Sequence, residues 1–422
     1  MSSALPDMGV MACPPSFHSK NDSQSESNPH ESESNFLLSL PSLESVPSLT
    51  LQPHQHQPSL SISNTHRRFL PTLKGHNSPI SSLTLAGKFL YTGSSDGEIR
   101  SWKRNPYQSE SDQGSSTILN NLVAAGEGAV KSMVVQADKI FSAHQDHKIR
   151  VWRINNSHET DRRNQKYTHL ATLPTLGDRA LKLLMPKNQV QIRRHKSCTW
   201  VHHVDAVSAL ALSKDESFLY SVSWDRTLKI WRTKDFKCLE SLTNAHDDAI
   251  NALALSHDGH VYTGSADRKI KVWKKNSGDQ NKHCLVATLE KHNSGINALA
   301  LSSDGSVLYS GACDRSILVW EKGGGSGGME VVGALRGHKN SILCLAVVSD
   351  LVCSGSADRT VRIWRRLSRN YNCLAVLDGH RGPVKCLTAA IDHRCNASEK
   401  AYLVYSGGLD CDIMVWQILV PC

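Results

Sequence analysis

Three side-chain types that act together in hydrolysis recur at a fixed spacing along this 422-residue chain. A serine or threonine stands four residues before an aspartate, and a histidine precedes most of these pairs. A hydroxyl nucleophile, an imidazole base and a carboxylate that orients the base form the triad of serine hydrolases. The hydroxyl residues are Thr92, Ser142, Ser221, Thr263, Ser310, Ser354 and Ser406, and the aspartates are Asp96, Asp146, Asp225, Asp267, Asp314, Asp358 and Asp410.

The number of copies argues against catalysis. A catalytic triad is one constellation, whereas this pattern occurs seven times, each time with a tryptophan six residues after the aspartate. We interpret it as a structural tetrad in which the aspartate binds the histidine, the histidine binds the hydroxyl, and the hydroxyl binds the indole N–H, because buried polar networks need every member bonded. The tryptophans are Trp102, Trp152, Trp231, Trp273, Trp320, Trp364 and Trp416; the histidines are His76, His203, His246, His292, His338 and His380. The second repeat has Gly126 in place of the histidine.

Short strands must position these residues. In the segment 262–273 the sequence Gly-Ser-Ala-Asp predicts a tight turn, and Lys269 to Trp273 alternates polar and apolar residues as a half-buried strand does. The apolar runs 250–255 and 284–289 have the length of one strand each. Four strands per unit, repeated at roughly 40–45 residues, predict an all-β propeller with seven blades.

The repeats resemble the WD40-repeat family over residues 68–417. The resemblance implies a seven-bladed propeller that serves as a non-enzymatic scaffold for protein–protein interaction. The aspartate that gives the family its name is missing after all seven tryptophans, which argues against docking on cullin-type ubiquitin ligase adaptors.

A narrower resemblance concerns three segments: Arg193-Arg-His-Lys with Trp200, the stretch 82–102, and the serine-rich leader. They are similar to the plant WD-repeat group that includes JINGUBANG. That resemblance implies a plant regulator of the cytosol and nucleus, linked to pollen germination and tube growth, with a transcription regulator among its candidate partners.

The ends of the repeat region predict how the ring closes. No fourth strand follows Trp416, but residues 68–73 match the fourth strand of the other units and are expected to complete blade seven. Residues 67–422 then form the propeller, and residues 1–66, rich in Ser and Pro, are expected to be disordered because they bury too little apolar surface. Deleting residues 1–74 should destabilise the ring, whereas deleting 1–60 should not.

The insertion 174–202, between blades two and three, is the main departure from the repeat. It contains six basic residues and one acidic residue, Asp178. Trp200, near its end, is predicted to lie on the same side of the ring as Trp224, which stands in a turn of blade three. Trp and Arg are enriched at binding hot spots, so we predict partner binding by Trp224, Trp200, Arg193, Arg194 and Lys196.

Two alternatives stay open for this insertion. In the first, Trp200 packs it against the ring and the charges are solvated. In the second, residues 179–196 bind nucleic acid or another anion, although the segment lacks the interleaved aromatics that single strands need.

Composition narrows the remaining possibilities. Twelve cysteines form no C-x-x-C pair and no zinc-type spacing, so we expect no metal, no cofactor and free thiols in a reducing compartment. No signal peptide and no apolar run of ~20 residues are present, which predicts a soluble intracellular protein. An enzyme working in the central channel would need a non-repeating catalytic cluster, and the sequence shows none; the oligomeric state is not predicted.

Overall fold

The computed structural model describes residues 46–50, 66–104, 121–155, 166–183, 189–193, 196–276, 282–323, 328–368, 370–392 and 399–421. The described residues form a nearly all-β propeller of seven blades, which confirms the predicted fold. None of the helices in these ranges is long and apolar enough to cross a membrane.

Each blade is an antiparallel sheet of four strands, and in blades one to six these strands follow one another in the order of the chain. Blade one holds β2 (Ile80–Ala86), β3 (Phe89–Ser94), β4 (Glu98–Lys103) and β5 (Leu122–Ala125); blade two holds β6 (Val130–Gln136), β7 (Lys139–His144), β8 (Ile149–Asn155) and β9 (Lys166–Leu173). Blade three holds β12 (Val207–Leu212), β13 (Phe218–Ser223), β14 (Leu228–Arg232) and β15 (Cys238–Leu242); blade four holds β16 (Ile250–Leu255), β17 (His260–Ser265), β18 (Lys269–Lys275) and β19 (His283–Glu290). Blade five holds β20 (Ile296–Leu301), β21 (Val307–Ala312), β22 (Ile317–Lys322) and β23 (Met329–Leu335); blade six holds β24 (Ile342–Val348), β25 (Leu351–Ser356), β26 (Val361–Leu367) and β27 (Asn370–Leu377).

Blade seven is built from both ends of the propeller. It holds β28 (Val384–Asp392), β29 (Glu399–Gly408) and β30 (Ile413–Pro421), and its outer strand is β1 (His66–Leu73). Leu70 pairs with Val415 and is buried in the core between blades seven and one. The predicted closure by the strand near residue 70 is therefore confirmed, and β1 starts two residues earlier than expected.

The first strands of all seven blades pack against one another around the channel, β28 against β2 included, so the ring is closed. The second strands behind them are almost wholly buried; in β21 every residue is. Apolar clusters lie between neighbouring blades, for example the cluster that unites Trp364 of blade six with residues of blade five. Each blade therefore depends on its neighbours for its core.

The insertion between blades two and three begins with α1 (Leu176–Leu183), and a hairpin of β10 (Gln189–Arg193) and β11 (Lys196–Thr199) follows. None of the eight cysteines whose side chains the structure describes is part of a disulfide bond.

Five residues of the segment predicted to be disordered are placed on the ring. Val46 is buried, and residues 46–50 lie between the outer strands of blades five and six. Composition alone did not predict this docking, because it depends on a specific seat rather than on the mean apolar content of the tail. The other residues of 1–66, except His66, lie outside the described ranges, and their disorder stays a prediction.

Candidate functional site

The tetrad of blade four shows the hydrogen-bond chain in full. Trp273 Nε1 donates to Thr263 Oγ1 at 2.9 Å, and Thr263 Oγ1 lies 2.8 Å from His246 Nε2. His246 Nδ1 lies 2.8 Å from Asp267 Oδ2. With the ring proton on Nδ1, the threonine hydroxyl donates to Nε2, and each group donates to the next one from the indole to the carboxylate.

Blades three, five, six and seven repeat this arrangement. The distances between the histidine Nε2 and the hydroxyl are 2.7 to 2.8 Å, and those from the histidine Nδ1 to the nearest aspartate oxygen are 2.8 to 3.2 Å. The polarity of these bonds is that of a hydrolase triad, but all seven hydroxyl residues are 0 % exposed. Each of these buried oxygens also accepts the indole N–H of its tetrad, so its hydrogen bonds are made within the blade. The tetrads hold turns.

Blade one departs from this arrangement. His76 Nε2 binds Thr92 Oγ1 at 2.7 Å, but its Nδ1 has no hydrogen-bond partner among the described residues. The carboxylates of Asp96 and Glu98 lie close to that nitrogen, and the three ligand atoms fall within 4.8 Å of one another. Glu98 is already paired with Arg100 at 2.9 Å, and a guanidinium there opposes a metal cation. The expectation that the chain binds no metal stays a prediction.

Blade two replaces the missing histidine with one from its own second strand. His144 Nε2 lies 2.9 Å from Ser142 Oγ, and its Nδ1 lies 3.1 Å from the carbonyl of Gly128. Asp146 instead receives two hydrogen bonds from Arg150. Sequence reasoning missed His144, although a histidine two residues after the tetrad hydroxyl was the available signal.

Burial in blade two gives this histidine a pH signature. Burial lowers the pKa of His144 from 6.5 to about 4, with a smaller contribution from Arg150. The unfolded chain therefore binds the proton at higher pH than the folded chain. The stability linked to His144 is complete above pH 6.5 and is lost as the pH falls toward 4.

We expect His144→Asn to flatten the pH dependence of stability. Between pH 6.5 and 4 the free energy of unfolding of the unsubstituted protein should fall more steeply, by up to about 1.4 kcal/mol per pH unit. Urea unfolding of both proteins at several pH values measures the two slopes. Parallel curves would contradict the role assigned to His144.

The turns that the tetrads hold carry a row of cations. The residue after the tetrad aspartate is an exposed arginine in blades three to six, with φ between 68° and 72°. Left-handed backbone is strained for arginine and costs on the order of 1 kcal/mol or more, whereas glycine adopts it freely. The row consists of Arg226, Arg268, Arg315 and Arg359. We call this side of the ring the tetrad face.

Trp224 lies on the tetrad face at the junction of blades two and three. Its ring is half-buried, and Lys131 Nζ of β6 lies 5.2 Å from the ring centroid, within cation–π range. Burial lowers the pKa of Lys131, with a smaller contribution from the charge of Lys385. A lysine and an aromatic ring therefore continue the row of arginines toward the channel.

The insertion is anchored to blade three by polar contacts. Asp178 is buried, and its Oδ2 accepts the backbone N–H of Cys238 at 2.9 Å. The buried Lys229 donates to the carbonyl of Trp200 and to Ser241 Oγ, each at 2.6 Å. The half-buried Trp200 ring packs against the core between blades two and three, as the packing alternative for Trp200 anticipates.

Of the other three predicted binding residues, the structure describes the backbone of two. Arg193 and Lys196 are opposite each other in the β10–β11 hairpin. Arg194 lies outside the described residues. A joint site formed by this hairpin and Trp224 stays a prediction.

The model of the WD40 family, described as "WD domain, G-beta repeat", matches residues 67–103, 195–232, 236–274, 283–321, 329–365 and 371–417. The chain belongs to the WD40-repeat family. The matched ranges omit blade two, the blade in which His144 and Arg150 replace the usual contacts of the tetrad.

Curated relatives share parts of this WD40 propeller. The chain is 27 % identical over 184 residues to ribosome biogenesis protein YTM1 of Eremothecium gossypii (41 % of this chain and 40 % of the relative). It is 34 % identical over 201 residues to pre-mRNA-splicing factor cwf17 of Schizosaccharomyces pombe (46 % and 55 %), and 24 % identical over 281 residues to autophagy-related protein 16 of Arabidopsis thaliana (63 % and 53 %). The matches thus span roughly half of each relative. WD40 propellers are in general non-enzymatic scaffolds that bind other proteins.

Proposed function

We propose that this WD40 protein is a non-enzymatic scaffold whose tetrad face binds an acidic segment of a partner protein. The observation that supports the proposal most strongly is the row of four arginines in consecutive blades, each held at positive φ. Glycine would adopt this backbone conformation without strain. We therefore infer that the arginine side chains have a role of their own at these turns. Guanidinium groups bind carboxylates through two parallel hydrogen bonds.

The tetrad face also offers apolar contacts beside the charges. Trp224 and Lys131 extend the row at blade three, and the insertion with Trp200 and Arg193 rises on the same side, since it joins β9 to β12. Tryptophan and arginine dominate the energetics of many interfaces. Binding by Trp224, Trp200, Arg193, Arg194 and Lys196 is part of this proposal.

The cellular role is proposed from sequence resemblance. We propose a regulator of the cytosol and nucleus, linked in plants to pollen germination and tube growth, with a transcription regulator among its partners. The support is the similarity of segments 82–102 and 193–200 to the plant WD-repeat group that includes JINGUBANG. The names of the three curated relatives refer to ribosome biogenesis, splicing and autophagy.

Affinity capture with mass spectrometry tests the tetrad face. We expect Arg268→Glu with Arg315→Glu to reduce capture of the principal partners at least tenfold, and Trp224→Ala with Arg193→Glu to reduce it as well. The matched control is Lys214→Glu with Lys234→Glu, an equal charge change at exposed lysines in the connections on the opposite face. Capture should also weaken as salt is raised.

Two results would contradict the proposal. Partner lists that are identical for all variants would exclude the tetrad face. Capture that is abolished by nuclease treatment would favour the alternative in which residues 179–196 bind nucleic acid.

A further inference from the structure

A short peptide of this chain lies on the circumference of the ring as an added strand. Ala334 of β23 donates its N–H to the carbonyl of Pro47 at 2.9 Å, and Leu49 donates its N–H to the carbonyl of Ala334 at 2.9 Å. Tyr371 of β27 donates its N–H to the carbonyl of Leu49 at 3.0 Å. Residues 46–50 thus use the free edges of two neighbouring blades, which is the geometry of peptide recognition by strand addition.

The seat of Leu49 exists because one residue has no Cβ. A Cβ on Gly333 would lie 2.4 Å from Leu49 Cγ and 2.8 Å from both of its Cδ atoms. Gly333 pairs with Val319, the residue before the tetrad tryptophan of blade five. The residue on the outer strand at this same pairing position can be compared in five other blades. It is Ala171, Glu240, Ala287, Ala375 or Leu70 in the other blades, and glycine only in blade five.

Both ends of the peptide are fixed by Arg336. Its backbone N–H donates to Thr50 Oγ1 at 3.0 Å, and its guanidinium donates to the carbonyl of Val46 at 2.9 Å. The side chains of Pro47 and Ser48 are exposed. Recognition therefore depends on a buried apolar residue, a leucine three positions later, and a hydroxyl residue next to that leucine.

The tail contains the tripeptide Pro-Ser-Leu three times, at 41–43, 47–49 and 58–60. The first copy is preceded by Leu40 but followed by Glu44, which has no hydroxyl. The last copy is followed by Ser61 but preceded by the polar Gln57. The middle copy has both anchors, and it is the copy that occupies the seat.

We propose that the cleft between β23 and β27 is a peptide-binding site for extended segments of the form Val-Pro-Ser-Leu-Thr, and that the tail occupies it as a built-in competitor. A partner protein that carries such a segment binds by displacing residues 46–50. The site is separate from the tetrad face and does not depend on the function proposed for that face.

Fluorescence anisotropy with a labelled peptide of residues 44–52 tests the proposal on the full-length chain. Leu49→Asp places a charge in the apolar seat and releases the tail. We expect this variant to bind the peptide at least tenfold more tightly than the unsubstituted chain, whose seat is filled. Adding Gly333→Ala should abolish that binding, because the new methyl group fills the space of the leucine.

Three controls make the result decisive. Alanine stands at the equivalent position in blades two, four and six, so Gly333→Ala is expected to fold, and its thermal melting curve checks this. A labelled peptide with the same Leu49→Asp change should bind no variant. Failure of the Leu49→Asp chain to bind the peptide, or binding that persists with Gly333→Ala, would overturn the proposal.

Discussion

Deletion of residues 1–74 is expected to abolish cooperative folding of the propeller. The deletion removes β1, so β30 loses its partner strand and blade seven loses the buried Leu70. An unpaired β30 is also a free sheet edge that invites aggregation. We expect a chain without a sharp thermal transition, and circular dichroism with size-exclusion chromatography measures the effect.

Two shorter deletions are the controls, and they separate ring closure from tail docking. Deletion of residues 1–44 should leave the melting temperature unchanged, since it leaves the docked segment 46–50 in place. Deletion of residues 1–60 removes the buried Val46 and the half-buried Leu49; we expect it to cost about 1–3 kcal/mol, where the sequence alone predicted no effect. A 75–422 chain that melts like the full-length protein would contradict the closure argument.

Trp364→Ala is expected to destabilise the propeller more than alanine at any other position of the blade-six tetrad. The side chain is 0 % exposed, packs in the core between blades five and six, and donates Nε1–H to Ser354 Oγ at 2.9 Å. Truncating a buried tryptophan to alanine costs about 3–5 kcal/mol. Urea unfolding followed by circular dichroism measures the loss.

Two further substitutions divide that loss into packing and hydrogen bonding. Trp364→Phe retains most of the apolar volume but removes the N–H, so we expect about 1–3 kcal/mol. Trp224→Ala makes the same truncation at a half-buried ring outside the tetrads and should cost less than Trp364→Ala. Equal losses for alanine and phenylalanine at position 364 would show that packing contributes little.

The elements of the ring were predictable because their signals are local and repeated. The alternation in Lys269–Trp273 and the turn at Asp267 need only the neighbouring residues, and seven copies with one spacing make chance agreement negligible. Closure was predictable for the same reason, since the residues near Leu70 match a strand that blade seven otherwise lacks.

What the sequence did not predict depends on contacts between distant segments. His144 replaces the missing histidine of blade two because the backbone of Gly128 comes within reach of its ring. The docking of residues 46–50 requires a space above Gly333 that only the assembled blades create. In the sequence Asp178 is one acid in a basic loop, whereas the fold buries it as the acceptor for a blade-three amide.

The pairing of β1 with β30 has a consequence for biosynthesis. The two strands lie at opposite ends of the propeller sequence, so β1 leaves the ribosome on the order of tens of seconds before its partner exists. Blades five and six are complete earlier, and the seat for residues 46–50 forms with them. We expect docking there to hold β1 beside the growing ring, close to the strand of blade seven with which it will pair.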